Sequence, residues 1–384
     1  MVPNHSIRVA VIIPKYGLVG GAETYVFELC ERLALRGEFQ IHVLANKWRK
    51  GKAPITFHKI PIISFPRFLQ PLSFAYFAKK HIHLSDYSLV HSHDRIFGMD
   101  LLTFHGIPHE TWIRNIRRRH LTLFDRATAW VEQKGFKNQR LKIVMPVSGL
   151  VQEEVVKRYG FLKDKILMNP PGVDLERFSI LDPLKCRQEI LLQYGWSQKD
   201  IIVLFVSMNF KLKRLDLVLK SMAFVAGKER ENSNLKLLVV GKGDEKRFKK
   251  LARDMGISKQ VIFAGVTREV EKYYMAADIF AMPSSFDTFG LVVLEAMAAG
   301  LPVIISKSVG ARDLVKEGLN GFILSEEPSV SEMGTSLSLL LDSGKRKLMG
   351  ENGRRVARLH TWDKTADRVA DLYRRLVNGT DCSL

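Results

Sequence analysis

Cysteine is scarce in this sequence. Only Cys30, Cys186 and Cys382 occur, scattered and odd in number. They offer neither a disulfide framework nor the paired spacing of a zinc site, and a cytoplasmic setting is expected. No stretch of about 18 uninterrupted apolar residues exists, which argues against a transmembrane helix. The N-terminus enters a strand-like run almost at once, without the layout of a cleavable signal. The chain also lacks internal repeats, low-complexity tracts and any Asp-x-Asp metal pair near a strand end. Acidic residues are in deficit: 40 Asp and Glu stand against 59 Lys and Arg, a formal net charge of +19. Residues 1–175 hold 26 basic against 14 acidic residues, and residues 176–384 hold 33 against 26. The basic first half predicts an anionic partner such as membrane phospholipid or an acidic acceptor. A nucleic-acid partner is not expected, because no base-reading motif accompanies the charge.

What is present is ordinary globular material. Hydrophobic residues make up 46% of the 384, enough for packed cores and, by size, two domains. Ile7 to Pro14 has the length of a buried parallel strand. Gly17, Gly20 and Gly21 follow as a loop, Ala22 to Leu35 has helical spacing closed by Gly37, and Ile41 to Ala45 is a second strand. This is the opening of a doubly wound α/β domain, although the glycines also suit a plain tight turn. Residues 60–80, broken by Pro61, Pro66 and Pro71, read as a loop entering a short helix that is either core or membrane-touching. His93, Asp100 and His105 fall at expected strand ends, where α/β sheets collect their ligands. In residues 111–130, Trp112, Ile113 and Ile116 interleave with Arg114, Arg117, Arg118 and Arg119. An amphipathic helix over 111–130 is expected, suited to a bilayer interface through its basic stretch 111–126 or simply presenting a solvated basic face. The text turns polar around 176–199, where the domain crossover is placed. Ile201 to Ser207 opens the second domain and leads to Lys211, Lys213 and Arg214.

The stretch 283–305 (PSSFDTFGLVVLEAMAAGLPVII) carries the most chemistry. Turn residues lead into a helix-like run from Phe289 to Ala299, stopped by Gly300 and Pro302, and a β-branched run follows. The unpaired N–H groups near Phe289, Gly290 and Leu291 would suit a phosphate. Gly290 would allow close backbone approach, and Glu295, about two turns beyond Asp287, could accept both hydroxyls of a ribose.

This stretch resembles the acidic-x7-acidic motif of retaining GT-B glycosyltransferases of family 4 (group 1), with Asp287 where the family mostly has Glu. The resemblance runs nearly the whole chain, and its feel is closest to lipopolysaccharide core glucosyltransferases. It implies a GT-B fold: two Rossmann-like α/β domains facing a cleft, spanning residues 1–175 and 176–361, with a closing helix in 362–384 returning to the first. The implied reaction moves a hexose from a nucleotide-diphosphate sugar, such as UDP-glucose, to a hydroxyl of a membrane-associated glycan or glycolipid. It would be retaining and metal-independent, with no cofactor. The implied catalytic residues are His105 (in Thr-x-His-Gly), Asp287 on donor-sugar hydroxyls, and Lys213 on the leaving diphosphate. Donor contacts would come from Gly20, Gly21, Lys211, Arg214, Gly265, Val266, Phe289, Gly290, Leu291 and Glu295. His93 and Asp100 would serve the acceptor side. The usual phosphate-gripping Arg is Met208 here, and the usual Gly after the Lys is Arg214. The rival expectations are another GT-B enzyme, an epimerase or synthase, and a non-catalytic anion-binding protein. The resemblance and the charge together imply a peripheral protein on the inner membrane face.

Overall fold

The computed structural model describes residues 6–18, 20–228 and 234–379. Every expected site residue lies within them; Cys382 and residues 380–384 of the expected closing segment lie outside. The chain divides into two compact units, Met1–Gly172 with Trp362–Leu384, and Val173–Thr361.

The first unit is built on six parallel strands: β1 (Ile7–Ile12), β2 (Phe39–Ala45), β3 (Thr56–Lys59), β4 (Leu89–Ser92), β5 (Leu101–Phe104) and β6 (Ile143–Pro146). Among the described residues their order is β3-β2-β1-β4-β5-β6, all neighbours parallel. Parallel strands covered on both faces need continuous apolar runs, and Val9, Ala10, Val11 and Ile12 are wholly buried. Helix α1 (Gly21–Leu35) buries Tyr25, Val26, Leu29, Cys30 and Leu33, one stripe at helical spacing. The closing helix Trp362–Asn378 lies beside it, with Arg32 bonded to Asp363 (2.9 Å) and Arg36 to Asp367 (2.6 Å).

Residues 60–80 do lead into a helix, α2 (Leu69–His83), whose Phe74, Ala75, Ala78 and Ile82 are core. Pro71 sits in its first turn, where a missing N–H costs little. Helix α3 (Leu123–Phe136) starts at a capping box of Thr122 and Asp125.

The helix expected over 111–130 forms only from Leu123 onward, as α3. A short turn, His109–Thr111, passes into a π-helical turn, Trp112–Ile116, and the chain then unwinds, with Arg118 at φ +50°. The cause is the buried Asp125 carboxylate. It accepts hydrogen bonds from the Thr122 N–H (2.8 Å), the Thr122 hydroxyl (2.6 Å) and Arg119 (2.7 Å), which starts a new helix at Thr122. Ile113 is buried and Trp112 and Ile116 are partly covered, whereas Arg114, Arg117 and Arg118 are exposed. The apolar half of the expected membrane-facing helix is therefore turned into the protein.

The second unit repeats the plan with β7 (Ile201–Ser207), β8 (Leu235–Gly241), β9 (Val261–Gly265), β10 (Ile279–Met282), β11 (Val303–Ser306) and β12 (Gly321–Leu324). The order is β9-β8-β7-β10-β11-β12, again parallel. Helices α4 (Leu215–Lys228), α5 (Val270–Ala276) and α6 (Leu291–Ala299) cover it. Phe205, Phe210, Leu219, Val239 and Phe248 belong to one buried cluster. The polar stretch 176–199 forms helices Glu176–Ser179 and Pro183–Tyr194. In both sheets the chain reverses direction of travel between its first and fourth strands. That switch point is where an open α/β sheet leaves room for a ligand. No described helix is long and apolar enough to cross a membrane.

Candidate functional site

In the second unit, the loops leaving β7 and β10 meet at the switch point. The first is a tight turn. The Ser207 hydroxyl accepts the Asn209 N–H (2.8 Å), and the Asn209 side chain accepts the Leu212 N–H (3.1 Å). Buried Phe210 anchors it. The second loop is stitched to the first, because the Ser285 N–H donates to the Leu212 carbonyl at 2.9 Å. The result places Lys213 against Asp287, Nζ to Oδ2 2.5 Å, with the Phe286 carbonyl 3.2 Å from the same ammonium. Both side chains are partly buried. The Asp287 backbone bridges to Ser308 and Gly310 at 2.9 Å each, so the carboxylate stands on a rigid frame.

Helix α6 begins immediately beyond. Gly290 caps it at φ +90°, and a Cβ there would sit 3.1 Å from both Met282 Cε and Val309 Cγ1. The glycine is thus required by backbone and packing, whatever binds nearby. Of the three amides expected to be open, the Phe289 N–H is engaged by Asp287 Oδ1 at 3.3 Å. Gly290 and Leu291 have no N–H acceptor among the described residues. A lysine and two helix-start amides on neighbouring loops are an anion-binding arrangement.

Glu295 is the one charged side chain of α6. Its Oε2 accepts a hydrogen bond from the Tyr274 hydroxyl on α5 (3.0 Å), and Arg177 Nη1 lies 3.8 Å from Oε1. Arg177 also pairs with Glu271. Burial pushes the Glu295 carboxyl above the usual range, and Arg177 opposes that shift. Sequence reading missed Arg177, Glu271 and Tyr274. A buried tyrosine hydroxyl needs a partner, but nothing local names one that is 21 residues away.

The remaining donor-side expectations are looser. Lys211 is exposed, and Arg214 lies 3.4 Å from Asp216. Arg214 takes φ +59°, a left-handed backbone. Gly265 also has positive φ, with open space around its Cβ position, and Val266 is exposed.

In the first unit, His93 and His105 follow β4 and β5 at the carboxyl edge. His93 Nδ1 is 3.0 Å from His105 Nε2, and the His91 ring lies tilted against His93 with centroids 4.2 Å apart. His91 itself is held by the hydroxyls of Tyr373 and Thr103, 2.7 Å each. Burial pushes His91 and His105 down to about 3 and His93 well below its usual value, with neighbouring histidines adding to the effect on His91 and His93. These rings are therefore neutral hydrogen-bonding groups near pH 7. His93 Nε2 is buried without a partner among the described residues. Gly20, at φ +153°, begins α1, and a Cβ there would collide with the Glu23 carboxylate folded back over it, 2.1 Å from Oε2.

Asp100 corrects the sequence reading. It precedes β5 and therefore sits at the amino edge, away from His93 and His105. Its carboxylate accepts the Val90 N–H (2.8 Å) and both arms of Arg140 (3.0 and 2.9 Å). It clamps strand β4 to the segment before β6 and has no free face for an acceptor.

Two outcomes are expected. His91 and His105 titrate near 6.5 when unfolded and near 3 when folded. Between those values the unfolded chain binds more protons. Their stabilising contribution is full above about pH 6.5 and declines as pH falls, approaching about 1.4 kcal/mol per pH unit for each ring. The urea midpoint should drop on acidification while their NMR resonances stay untitrated to about pH 5; titration near 6.5 in the native state would contradict this. Second, Arg214→Gly should raise stability by about 0.5–1 kcal/mol by relieving a left-handed non-glycine residue. An unchanged or lower denaturation midpoint would rule out strain there.

Comparison with known proteins follows the same division. Residues 19–177 match the Glycosyltransferase Family 4 domain, and residues 187–356 match Glycosyl transferases group 1. A D-inositol 3-phosphate glycosyltransferase of Geodermatophilus obscurus is 26% identical over 393 residues, covering 94% of this chain and 86% of that protein. WaaG, a glycosyltransferase involved in lipopolysaccharide biosynthesis, superposes with a TM-score of 0.80 at 22% identity, over 95% of this chain and 99% of WaaG. Anabaena Alr3699/HepE in complex with UDP-glucose gives 0.73 at 16% identity, over 96% and 99%. The structural likenesses establish the fold, two Rossmann-like units of parallel sheet. With the Family 4 domain ahead of the group 1 domain, this chain is a glycosyltransferase of the GT-B fold.

Proposed function

We propose that the protein moves a hexose from a nucleotide-diphosphate sugar, a UDP-sugar such as UDP-glucose, to a hydroxyl of a membrane-associated glycan or glycolipid of the lipopolysaccharide-core type. Transfer retains anomeric configuration and uses no divalent metal or other cofactor. The observation that carries this reading is the Lys213–Asp287 pair set beside the open Gly290 and Leu291 amides. As the sugar leaves, negative charge develops on the diphosphate, and fixed donors aimed at it lower the barrier. Lys213 and the two amides supply them without a metal. Lys211 and Arg214 add charge at the rim of the same loop. Asp287, held in place by Lys213, accepts donor-sugar hydroxyls. Glu295 accepts the ribose hydroxyls, its orientation set by Tyr274 and its charge supported by Arg177. Backbone at Gly265 and Val266 receives the base. In the first unit, neutral His105 and His93 offer hydrogen bonds to sugar hydroxyls, and the Gly20–Gly21 loop keeps bulk away from the ligand.

The UDP donor is supported by the UDP-glucose complex of Alr3699/HepE, and the lipid-glycan acceptor by the likeness to WaaG and the basic first half of the chain. One observation favours a second acceptor, a phosphorylated cyclitol: the relative that acts on D-inositol 3-phosphate. Peripheral attachment to an anionic membrane would be electrostatic, through exposed Arg114, Arg117 and Arg118, and so lost at high salt.

The test is a thermal-shift panel of nucleoside diphosphates with chelator present, on the wild type and Glu295→Ala. One nucleotide, UDP, should raise the midpoint, and the variant should lose the shift. No shift with any nucleotide would remove the donor site, and a shift that needs a divalent cation would remove the metal-free mechanism.

A further inference from the structure

On the first unit a cavity of about 580 Å³ opens between α2, α3 and the segment after β4. Tyr76, Phe97 and Trp130 line it, and Phe97 meets Trp130 edge to face with centroids 5.4 Å apart. Tyr76 is 57% exposed and Trp130 47%. Lys79, Lys80, His83 and Lys134 also line the cavity, and all four are exposed. Lys134 Nζ lies 5.9 Å over the Trp130 ring. No acidic side chain is among the lining residues. Asn138 fixes the wall by donating to the Phe97 carbonyl at 2.8 Å.

The cavity is remote from the carboxyl edge that carries His93 and His105. Lys80 and His83 occupy the last turn of α2, which delivers the chain to the start of β4, and Lys134 occupies the last turn of α3. Phe97 lies just before Asp100, at the start of β5. All belong to the amino edge of the sheet.

Cations in a last helical turn also complement the negative end of the helix dipole. That accounts for the lysines but not for three rings converging on the same opening. Single exposed aromatics are ordinary; three rings beside ammonium groups that have no acidic partner among the described residues form a recognition surface. A pyranose packs its C–H face on such rings, and the ammonium groups take a phosphate without a competing carboxylate. The volume lies in the range of pockets that hold small ligands.

We infer that this cavity is a non-catalytic binding site for a phosphorylated sugar ring, held on the first unit away from the transfer site. The inference rests on the cavity alone and stands whichever donor or acceptor the enzyme uses. A ligand held there by one phosphorylated ring, and carrying its reactive hydroxyl elsewhere, would gain effective concentration at the enzyme. The ring is either free in solution or the headgroup of a lipid.

Calorimetric titration of the full chain with glucose 6-phosphate, glucose and inorganic phosphate separates the chemistry. Co-sedimentation with phosphatidylcholine vesicles carrying phosphatidylinositol 4-phosphate, against phosphatidylserine vesicles of matched charge, separates the sources. Glucose 6-phosphate should bind at least about tenfold tighter than glucose or phosphate; preference for phosphoinositide vesicles alone would assign the lipid headgroup. Trp130→Ala and the double variant Lys79→Ala/Lys134→Ala should each weaken binding at least about tenfold, with the nucleoside diphosphate thermal shift unchanged. Binding of phosphate as tight as glucose 6-phosphate, no preference for either sugar-bearing probe, or undiminished binding in Trp130→Ala would overturn the inference. Where Trp130→Ala fails to fold, the Lys79→Ala/Lys134→Ala variant, which alters only exposed side chains, decides it, because wild-type binding alone could also come from the acceptor site.

Discussion

Everything at the candidate sites follows from one constraint: strands that run parallel put all their carboxyl ends on one edge, and the sheet has to change its direction of growth somewhere. In the second unit that change falls between β7 and β10. The loops leaving those strands diverge to opposite faces, and the gap between them has to be closed by something other than a ladder. Here it is closed by the Ser285 N–H to Leu212 carbonyl bond and by Lys213 on Asp287. An ion pair at that point is polar and partly buried, so its geometry is fixed by surrounding backbone bonds from Ser308 and Gly310. A ligand with its own negative charge can then enter a frame that already holds a cation in place, with little reorganisation.

The first unit answers the same constraint with neutral groups. His93 and His105 stand at the carboxyl edge, and His91 behind them is pinned by Tyr373 and Thr103. Burial disfavours the charged form of each ring, and each charged ring would also repel its neighbours. The outcome is a row of imidazoles that can donate and accept hydrogen bonds but cannot carry charge near neutral pH. Such groups suit sugar hydroxyls better than phosphate. The two units thus differ chemically: positive charge and helix amides at the switch point of one, neutral hydrogen-bonding rings at the carboxyl edge of the other.

What could be read from the sequence was local. The run 283–305 keeps its turn, glycine, helix and glycine stop within a few residues, so α6, Gly290 and Glu295 were legible there, as was the closing helix. Asp100 was misread because a strand's two ends look alike in text; only its register against Val90 shows which edge it occupies. The first half of the helix expected over 111–130 was misread because spacing of apolar and basic residues says nothing of a competing cap. Asp125 collects three hydrogen bonds that begin a new helix, and that local bonding outweighs the periodicity. Arg177 and Tyr274 were illegible for a different reason. Their partner Glu295 is distant in the chain, and a buried carboxylate does not announce which hydroxyl or guanidinium will meet it.

Arg214 shows how a departure from a family text can be conformational before it is chemical. The family resemblance places a glycine there, and the backbone at that position is left-handed, the region a glycine enters freely and other residues enter at a cost. The turn that aims Lys213 imposes this geometry: Asn209 and Phe210 accept the N–H groups of Lys213 and Leu215, and Arg214 must bridge them. The chain therefore keeps the turn and tolerates strain to place a guanidinium beside it. A 3.4 Å ion contact with Asp216, both side chains only partly buried, is a weak return on that strain. If the proposed donor site holds, an extra cation on the loop where the family resemblance expects an arginine and this chain has Met208 would be a stronger one.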